Sequence, residues 1–252
     1  MMARSARSWT EADRSNAVPT ESQPIPLVVA SPGESVRGTV LLVHGRNGAP
    51  DQPHIAQIAE AYLARDWRVV APGLPNSSAL PGSGAPEKLT FTGHCKAASA
   101  VWGWVRERWP DTPLALAGHS IGAFAVAHLA AETPGPHHVL AVSPAVSGRA
   151  LLLARVAMGP PAVEAVEREA PLFRAEMEAA DAAPALAKTD APLAVVTGAE
   201  DGLVPLKDAR AYFAAAANAR FFAAVPGQHH CPVGPDVGEA LTAALSALEA
   251  SA

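Results

Sequence analysis

Several things are scarce in this chain of 252 residues, and each scarcity narrows its function. Only two cysteines occur, Cys95 and Cys231, and they lie far apart. A disulfide-stapled secreted scaffold is thereby excluded; a single bridge stays open, but two reduced thiols in a cytoplasmic protein is the expectation. Positive charge is short as well: 19 Lys and Arg stand against 24 Asp and Glu, a formal net charge of −5. That leaves no electrostatic footprint for nucleic acid or for an anionic membrane surface. No apolar run is long enough to span a bilayer. The opening segment, "MMARSARSWTEADRSNAVPTESQP", has no apolar core of the kind a secretory signal needs, and Glu11 and Asp13 argue against a transit peptide. Residues 1–24 are expected to form a polar, disordered leader, and residues 25–252 one domain.

Hydrophobic residues are plentiful, at 49 % of the chain against 17 % charged, as in a globular protein with a sizeable core. Their periodicity alternates. "TVLLVHG" (39–45), "WRVVAP" (67–72), "LALAG" (114–118), "HHVLAVS" (137–143), "PLAVVTG" (192–198) and "RFFAAVPG" (220–227) are short apolar runs that read as buried strands. Helical patterns lie between them. One places Ile55, Ile58, Ala59, Tyr62 and Leu63 on a single face, and the last places Val237, Ala240, Leu241, Ala244, Leu245 and Leu248 on one stripe. Strands alternating with helices predict an α/β protein with a mainly parallel sheet and helices on both faces. "PLVVA" (26–30) is a candidate antiparallel edge strand.

One stretch breaks the alternation. Residues 144–190 hold helical pieces, no strand pattern, and many charges. An insertion at the end of the sheet where ligands bind reads as a short helical lid. Its apolar residues are expected to face a pocket and its charges water, with Leu151, Leu152 and Met158 as candidate wall residues.

The most informative motif is Gly118-His119-Ser120-Ile121-Gly122, placed after a strand and before an apolar helix. That context is the one a nucleophile elbow requires. The serine sits on a sharp, strained turn, so the residues two positions away must be small. The turn lifts the Ser120 hydroxyl to the carboxyl edge of the sheet and aims the Ile121 N–H at a developing negative charge. A serine hydroxyl needs a base, and the base needs a carboxylate to hold its tautomer. Both are expected past later strands, in the order acid then histidine. "VVTGAEDGLVP" offers Asp201, with Glu200 as alternative. "VPGQHHCPV" offers His230, with His229 as alternative; the spacing from Gly227 favours His230.

These residues carry a family resemblance. "VLLVHGRNG" (40–48), "RVVAPGLP" (68–75), "LAGHSIGA" (116–123), "TGAEDGLVP" (197–205) and "VPGQHH" (225–230) resemble the α/β-hydrolase superfamily, in particular its lysophospholipase, monoacylglycerol lipase and serine aminopeptidase-like group. The resemblance implies an α/β-hydrolase fold over about residues 25–250. It also implies a second oxyanion donor, the backbone N–H of Arg46, on a turn shaped by His44 and Gly45. Relatives often carry an aspartate after the fourth strand; here the sequence is Ala71-Pro72-Gly73-Leu74-Pro75, which leaves the triad intact and affects at most the pocket rim.

The expected function is that of a serine hydrolase cleaving a carboxylic ester, thioester or lactone with a small or medium acyl group. The same machinery also supports acyl transfer, carbon–carbon bond hydrolysis and perhydrolysis, and the same scaffold supports non-catalytic binding of small molecules. No cofactor and no metal are implied. The pairs His94-Cys95 and His137-His138 lack ligand spacing, and "GSGAPEK" (82–88) is not a phosphate loop. The expected partner is a small-molecule ester. Trp102 and Trp109 share a helical face with Val105 and read as core. The sequence does not set the oligomeric state.

Overall fold

The computed structural model describes residues 8–33, 35–132 and 135–250. Its sheet has the strand order β1-β2-β4-β3-β5-β6-β7-β8. Strands β3 (Gly38–Val43), β4 (Trp67–Pro72), β5 (Leu114–His119), β6 (Val139–Val142), β7 (Leu193–Gly198) and β8 (Ala219–Val225) run parallel. Their side chains alternate between two cores, as the two-residue period of a strand buried on both faces demands. On β3, Leu41 and Val43 enter one core while Val40 and Leu42 enter the other.

The first core lies under α2 (Phe91–Arg108), α3 (Ile121–Glu132) and α8 (Leu206–Ala215); the second lies under α1 (Pro53–Leu63) and α9 (Pro235–Glu249). The face that α1 presents is the expected one: Ile55, Ile58, Ala59, Tyr62 and Leu63 are all buried. Trp102 and Val105 on α2 are buried too, whereas Trp109 caps the helix half-exposed, with the Arg68 guanidinium 4.3 Å from its ring centroid. The chain leaves β3 through α1 to reach β4 on one side. It then crosses through α2 to β5 on the other side of β3. The carboxyl ends of β3 and β5 therefore flank a topological switch point, where an open parallel sheet leaves a crevice. No helix among the described residues is long and apolar enough to cross a membrane.

The beginning of the chain differs from its expectation. Residues 1–7 lie outside the described residues, but from Ser8 onward the segment read as a loose leader is packed. Trp9 is 3 % exposed and joins the core beneath α1. Its indole N–H donates to the Pro50 carbonyl at 3.1 Å, and its backbone N–H donates to Glu60 at 2.6 Å. Asp13 and Val29 exchange a pair of backbone hydrogen bonds, both 2.8 Å. The polar composition of the segment hid one buried aromatic anchor. The expected edge strand β2 (Ile25–Ala30) does pair antiparallel with β4, yet a two-residue strand, β1 (Ala17–Val18), covers its outer side.

Between β6 and β7 the chain forms only helices: α4 (Gly148–Met158), α5 (Pro160–Glu169), α6 (Pro171–Glu176) and α7 (Ala183–Leu186). Ser147 caps α4, accepting from the Ala150 N–H at 3.1 Å. Gly159, at φ 102°, and the two prolines after it separate α4 from α5. Phe173 anchors the insertion by stacking on Phe91 at 4.2 Å between ring centroids, and Phe91 in turn meets Phe124 of α3.

The packed N-terminal segment is directly testable. Trp9→Ala should lower unfolding stability by about 3 kcal/mol, the usual cost of deleting a buried tryptophan. A denaturant titration showing no loss would return the segment to the status of a loose leader.

Candidate active site

The geometry of the site begins with one strained residue. Ser120 stands between β5 and α3 at φ 56°, in the left-handed region that residues with a side chain rarely adopt. Its neighbours explain how the turn closes. A Cβ on Gly118 would lie 2.5 Å from the Gly122 backbone, and one on Gly122 would run into the Val43 carbonyl at the end of β3. One on Gly45 would lie 2.8 Å from the Ser120 Cβ. The turns after β3 and β5 are thus in contact, and only glycine fits between them.

Two later loops bring their side chains to Ser120. His230 Nε2 lies 3.0 Å from Ser120 Oγ, and His230 Nδ1 lies 2.9 Å from Asp201 Oδ2. The Asp201 side chain is fully buried, while that of His230 retains 20 % exposure. The other Asp201 oxygen accepts the Leu203 and Val204 N–H groups at 2.9 and 2.8 Å, so the carboxylate is fixed in orientation. The competing candidates turn elsewhere. Exposed His229 donates from Nδ1 to the Glu200 carbonyl at 2.9 Å, and the Glu200 carboxylate accepts the Gly227 N–H at 3.1 Å. Those two residues brace the loop from outside.

Arg46 and Ile121, the expected oxyanion donors, both border the cavity at Ser120, and neither backbone N–H is taken by another described group. The Arg46 side chain is not turned to solvent. It is 19 % exposed and reaches Glu169 of α5 at 3.7 Å. Of the candidate wall residues, Leu151 borders the cavity. Leu152 packs half-buried against the core, and Met158 is 58 % exposed. Helix α4 departs from its expectation at two positions, Met158 turned outward and Arg155 turned inward. Leu151, Ala154 and Arg155 share the inward face, while Leu153, Val156 and Met158 face water. Gly73, where the resemblance led to an aspartate being expected, does not border the cavity.

Of four histidines near the site, His44 was expected to shape the turn before Arg46, and His54, His94 and His119 had no role in the sequence reading. His44 accepts the Leu74 N–H at Nε2, 3.0 Å, and donates from Nδ1 to the Gly45 carbonyl, 2.8 Å. His94 donates to the His44 carbonyl at 3.0 Å. Together they clamp the turn that carries Arg46. His119 donates from Nε2 to the His230 carbonyl at 2.8 Å, which holds the backbone of the proposed base from the residue beside the serine. His54 lies against His119, with ring centroids 4.4 Å apart. The His44-Gly45 turn and the "His-Ser" order of the motif were the hints of this.

The structure also gathers three donors that the sequence scatters. Ligand atoms of His54, His119 and Cys231 lie within 4.8 Å of one another. The His119 Nε2–H is committed to a carbonyl, and burial, then Asp201, pushes the Cys231 thiol pKa up. Both features work against metal ligation, which needs free imidazole nitrogen and thiolate. Cys95 and Cys231 are not joined to each other.

Comparison with known proteins places the chain. Residues 38–147 match a family model described as the alpha/beta hydrolase fold. Est1E from Butyrivibrio proteoclasticus, solved with ferulic acid bound, superposes with a TM-score of 0.75 at 19 % identity, covering 94 % of this chain and 100 % of its own. A structure from Xanthomonas campestris, XC6422, described as an α/β serine hydrolase without a lid, gives 0.64 at 17 % identity over 96 % of this chain and 93 % of its own. An alpha-beta serine hydrolase homologue from Coxiella burnetii gives 0.63 at 16 % identity, over 90 % and 95 %. No curated protein matches the sequence.

The buried histidines set a pH dependence. Burial lowers the pKa values of His44 and His54 from 6.5 to about 4, those of His94 and His138 to about 3, and that of His119 well below its usual value. Between those values and 6.5 the unfolded chain binds protons that the folded chain refuses. Stability is therefore complete above about pH 6.5 and declines as pH falls toward 4. Thermal unfolding at about pH 5 should show a Tm several degrees below that at about pH 7.5. Equal values would mean that these rings are not held neutral.

Proposed function

We propose that this protein of α/β-hydrolase fold is a serine hydrolase that cleaves a small or medium carboxylic ester, or a thioester or lactone, through an acyl-enzyme. The observation that carries the reading is the hydrogen-bonded row from Ser120 through His230 to a buried carboxylate on Asp201, with steps of 3.0 and 2.9 Å. Each length lies within the reach a nucleophile, its base and the base's partner require. Likeness to lysophospholipases, monoacylglycerol lipases and serine aminopeptidases is part of the same proposal, as is a cytoplasmic location.

The chemistry follows from atoms already in place. Asp201 accepts the Nδ1–H of His230, which leaves Nε2 as the lone pair facing Ser120 Oγ. As Oγ attacks the ester carbonyl, its proton passes to Nε2. Asp201 stabilises the imidazolium without taking that proton. The carbonyl oxygen becomes an oxyanion, held by the uncommitted Arg46 and Ile121 N–H groups. His230 returns the proton to the leaving alkoxide. Water, deprotonated by the same nitrogen, then releases the acid and restores Ser120. Removing the leaving alcohol's space to water is the work proposed for the insertion 144–190 as a lid. The cavity beneath it measures about 290 Å³, which suits acyl groups of about two to eight carbons rather than long chains.

A fluorophosphonate probe should label wild-type protein at Ser120, and Ser120→Ala should neither label nor hydrolyse 4-nitrophenyl butyrate above about a thousandth of the wild-type rate. His230→Ala should cost about as much, because the row works as a unit, while His229→Ala should retain most activity. Folded wild-type protein that never labels would overturn the reading in favour of a binding protein. Loss confined to His229→Ala would move the base.

A further inference from the structure

The cavity at Ser120 is unlike the apolar acyl slot that a helical lid suggests. Two arginines border it: Arg46 from the turn after β3 and Arg155 from α4. Among the described residues no aspartate or glutamate borders it. This concentration of positive charge occurs in a chain whose formal net charge is −5. Arg155 is the more telling of the two. It is 5 % exposed, and it makes no ion pair among the described residues. Among the described residues its one side-chain hydrogen bond goes to the Leu151 carbonyl at 3.0 Å, one turn back on its own helix. Leu153, Val156 and Met158 meanwhile face water from the same helix.

A helix that buries its arginine beside Leu151 while Leu153, Val156 and Met158 stay exposed is not explained by simple packing. A buried guanidinium with five N–H donors and one carbonyl partner is poorly satisfied within the protein, and an anion in the cavity would complete its hydrogen bonds and offset its desolvation. Arg46 is close enough for the two charges to repel. Repulsion adds to burial in lowering the Arg155 pKa, to about 10, so the group remains charged at neutral pH. Glu169 offsets both charges in part: it lies 3.7 Å from Arg46 with its own side chain 45 % exposed, and its field also reaches Arg155. Two cations converge on the cavity, and among the described residues no carboxylate borders it with them.

We propose that the substrate is an ester bearing a carboxylate, seated between Arg155 and Arg46 while its ester carbonyl lies at Ser120. A guanidinium fork matches a carboxylate through paired N–H···O bonds, and a carboxylate a few atoms from the ester fits a cavity of about 290 Å³. This inference rests on the serine hydrolase reading for its chemistry, and on the arginines alone for its choice of substrate.

The test compares matched esters. Wild-type kcat/KM should be at least about 10-fold higher for mono(4-nitrophenyl) glutarate than for 4-nitrophenyl valerate, its neutral counterpart. Acetoxyacetate, followed by proton release against ethyl acetate, asks whether the carboxylate sits on the alcohol side instead. Preference in either arm supports the proposal. Arg155→Gln should lower the acidic-to-neutral ratio by about 10- to 100-fold, mostly through KM, and Arg155→Lys should keep part of it. Free glutarate should protect wild-type Ser120 from the fluorophosphonate probe, and 1,5-pentanediol should not; this arm needs no variant. No preference in either arm, or an Arg155→Gln variant that loses both esters equally, would overturn the carboxylate proposal while Ser120-dependent turnover of the valerate left the hydrolase reading standing. If wild-type protein neither labels nor turns over any ester, the hydrolase reading fails. Calorimetric titration with glutarate then decides this one: binding lost in Arg155→Gln supports an anion site, and no binding to wild type overturns it.

Discussion

Everything at this site depends on how closely two turns approach each other. The loop after β3 and the turn after β5 meet where Gly45 faces Ser120 and Gly122 faces Val43. That contact holds Ser120 in its left-handed conformation and leaves the Arg46 and Ile121 N–H groups on the same cavity. A side chain at Gly122 would pry the two strand ends apart, and one at Gly118 would force open the turn itself. The parallel register of β3 with β5, from Thr39 opposite Leu114 to Val43 opposite Gly118, delivers both turns at one level. The sheet's contribution to function is therefore mainly a matter of alignment.

Around that contact the histidines act as struts. His44, His94 and His119 each direct a ring nitrogen at a backbone carbonyl, of Gly45, His44 and His230 respectively. Burial keeps all three rings neutral, and His44, which also accepts the Leu74 N–H, must be neutral to make both its bonds. The price is a set of lone pairs without partners, at His94 Nδ1 and His119 Nδ1. Polar residues of this kind at the edge of a core are common where the backbone must be held in one arrangement.

The sequence made the alternating strands legible because buried parallel strands are short apolar runs bounded by turns, and β3 to β8 all have that form. The elbow was legible because sterics dictate its glycines. The positions of Asp201 and His230 were readable from strand ends and spacing. What could not be read depended on distances across the chain. Trp9 looked like one aromatic in a polar leader because its partners, Pro50 and Glu60, are remote in sequence. Arg155 looked like a surface charge in "ALLLARVAM" because periodicity gives a helix its faces but not the direction in which it docks. The orientation of α4 is set by Gly148 against Met177 and by the Phe173 stack, which are tertiary contacts.

The N-terminal anchor has a mechanical meaning. Trp9 is tied to Pro50, only four residues beyond Arg46, and Gln52 just after it hydrogen-bonds both the Asn47 carbonyl and the Ala49 N–H. A tug on the start of the chain is thus transmitted, through one indole and one amide side chain, to the loop facing the serine. Fusions or trims at this end reach the loop facing Ser120 by a shorter route than their distance along the sequence suggests.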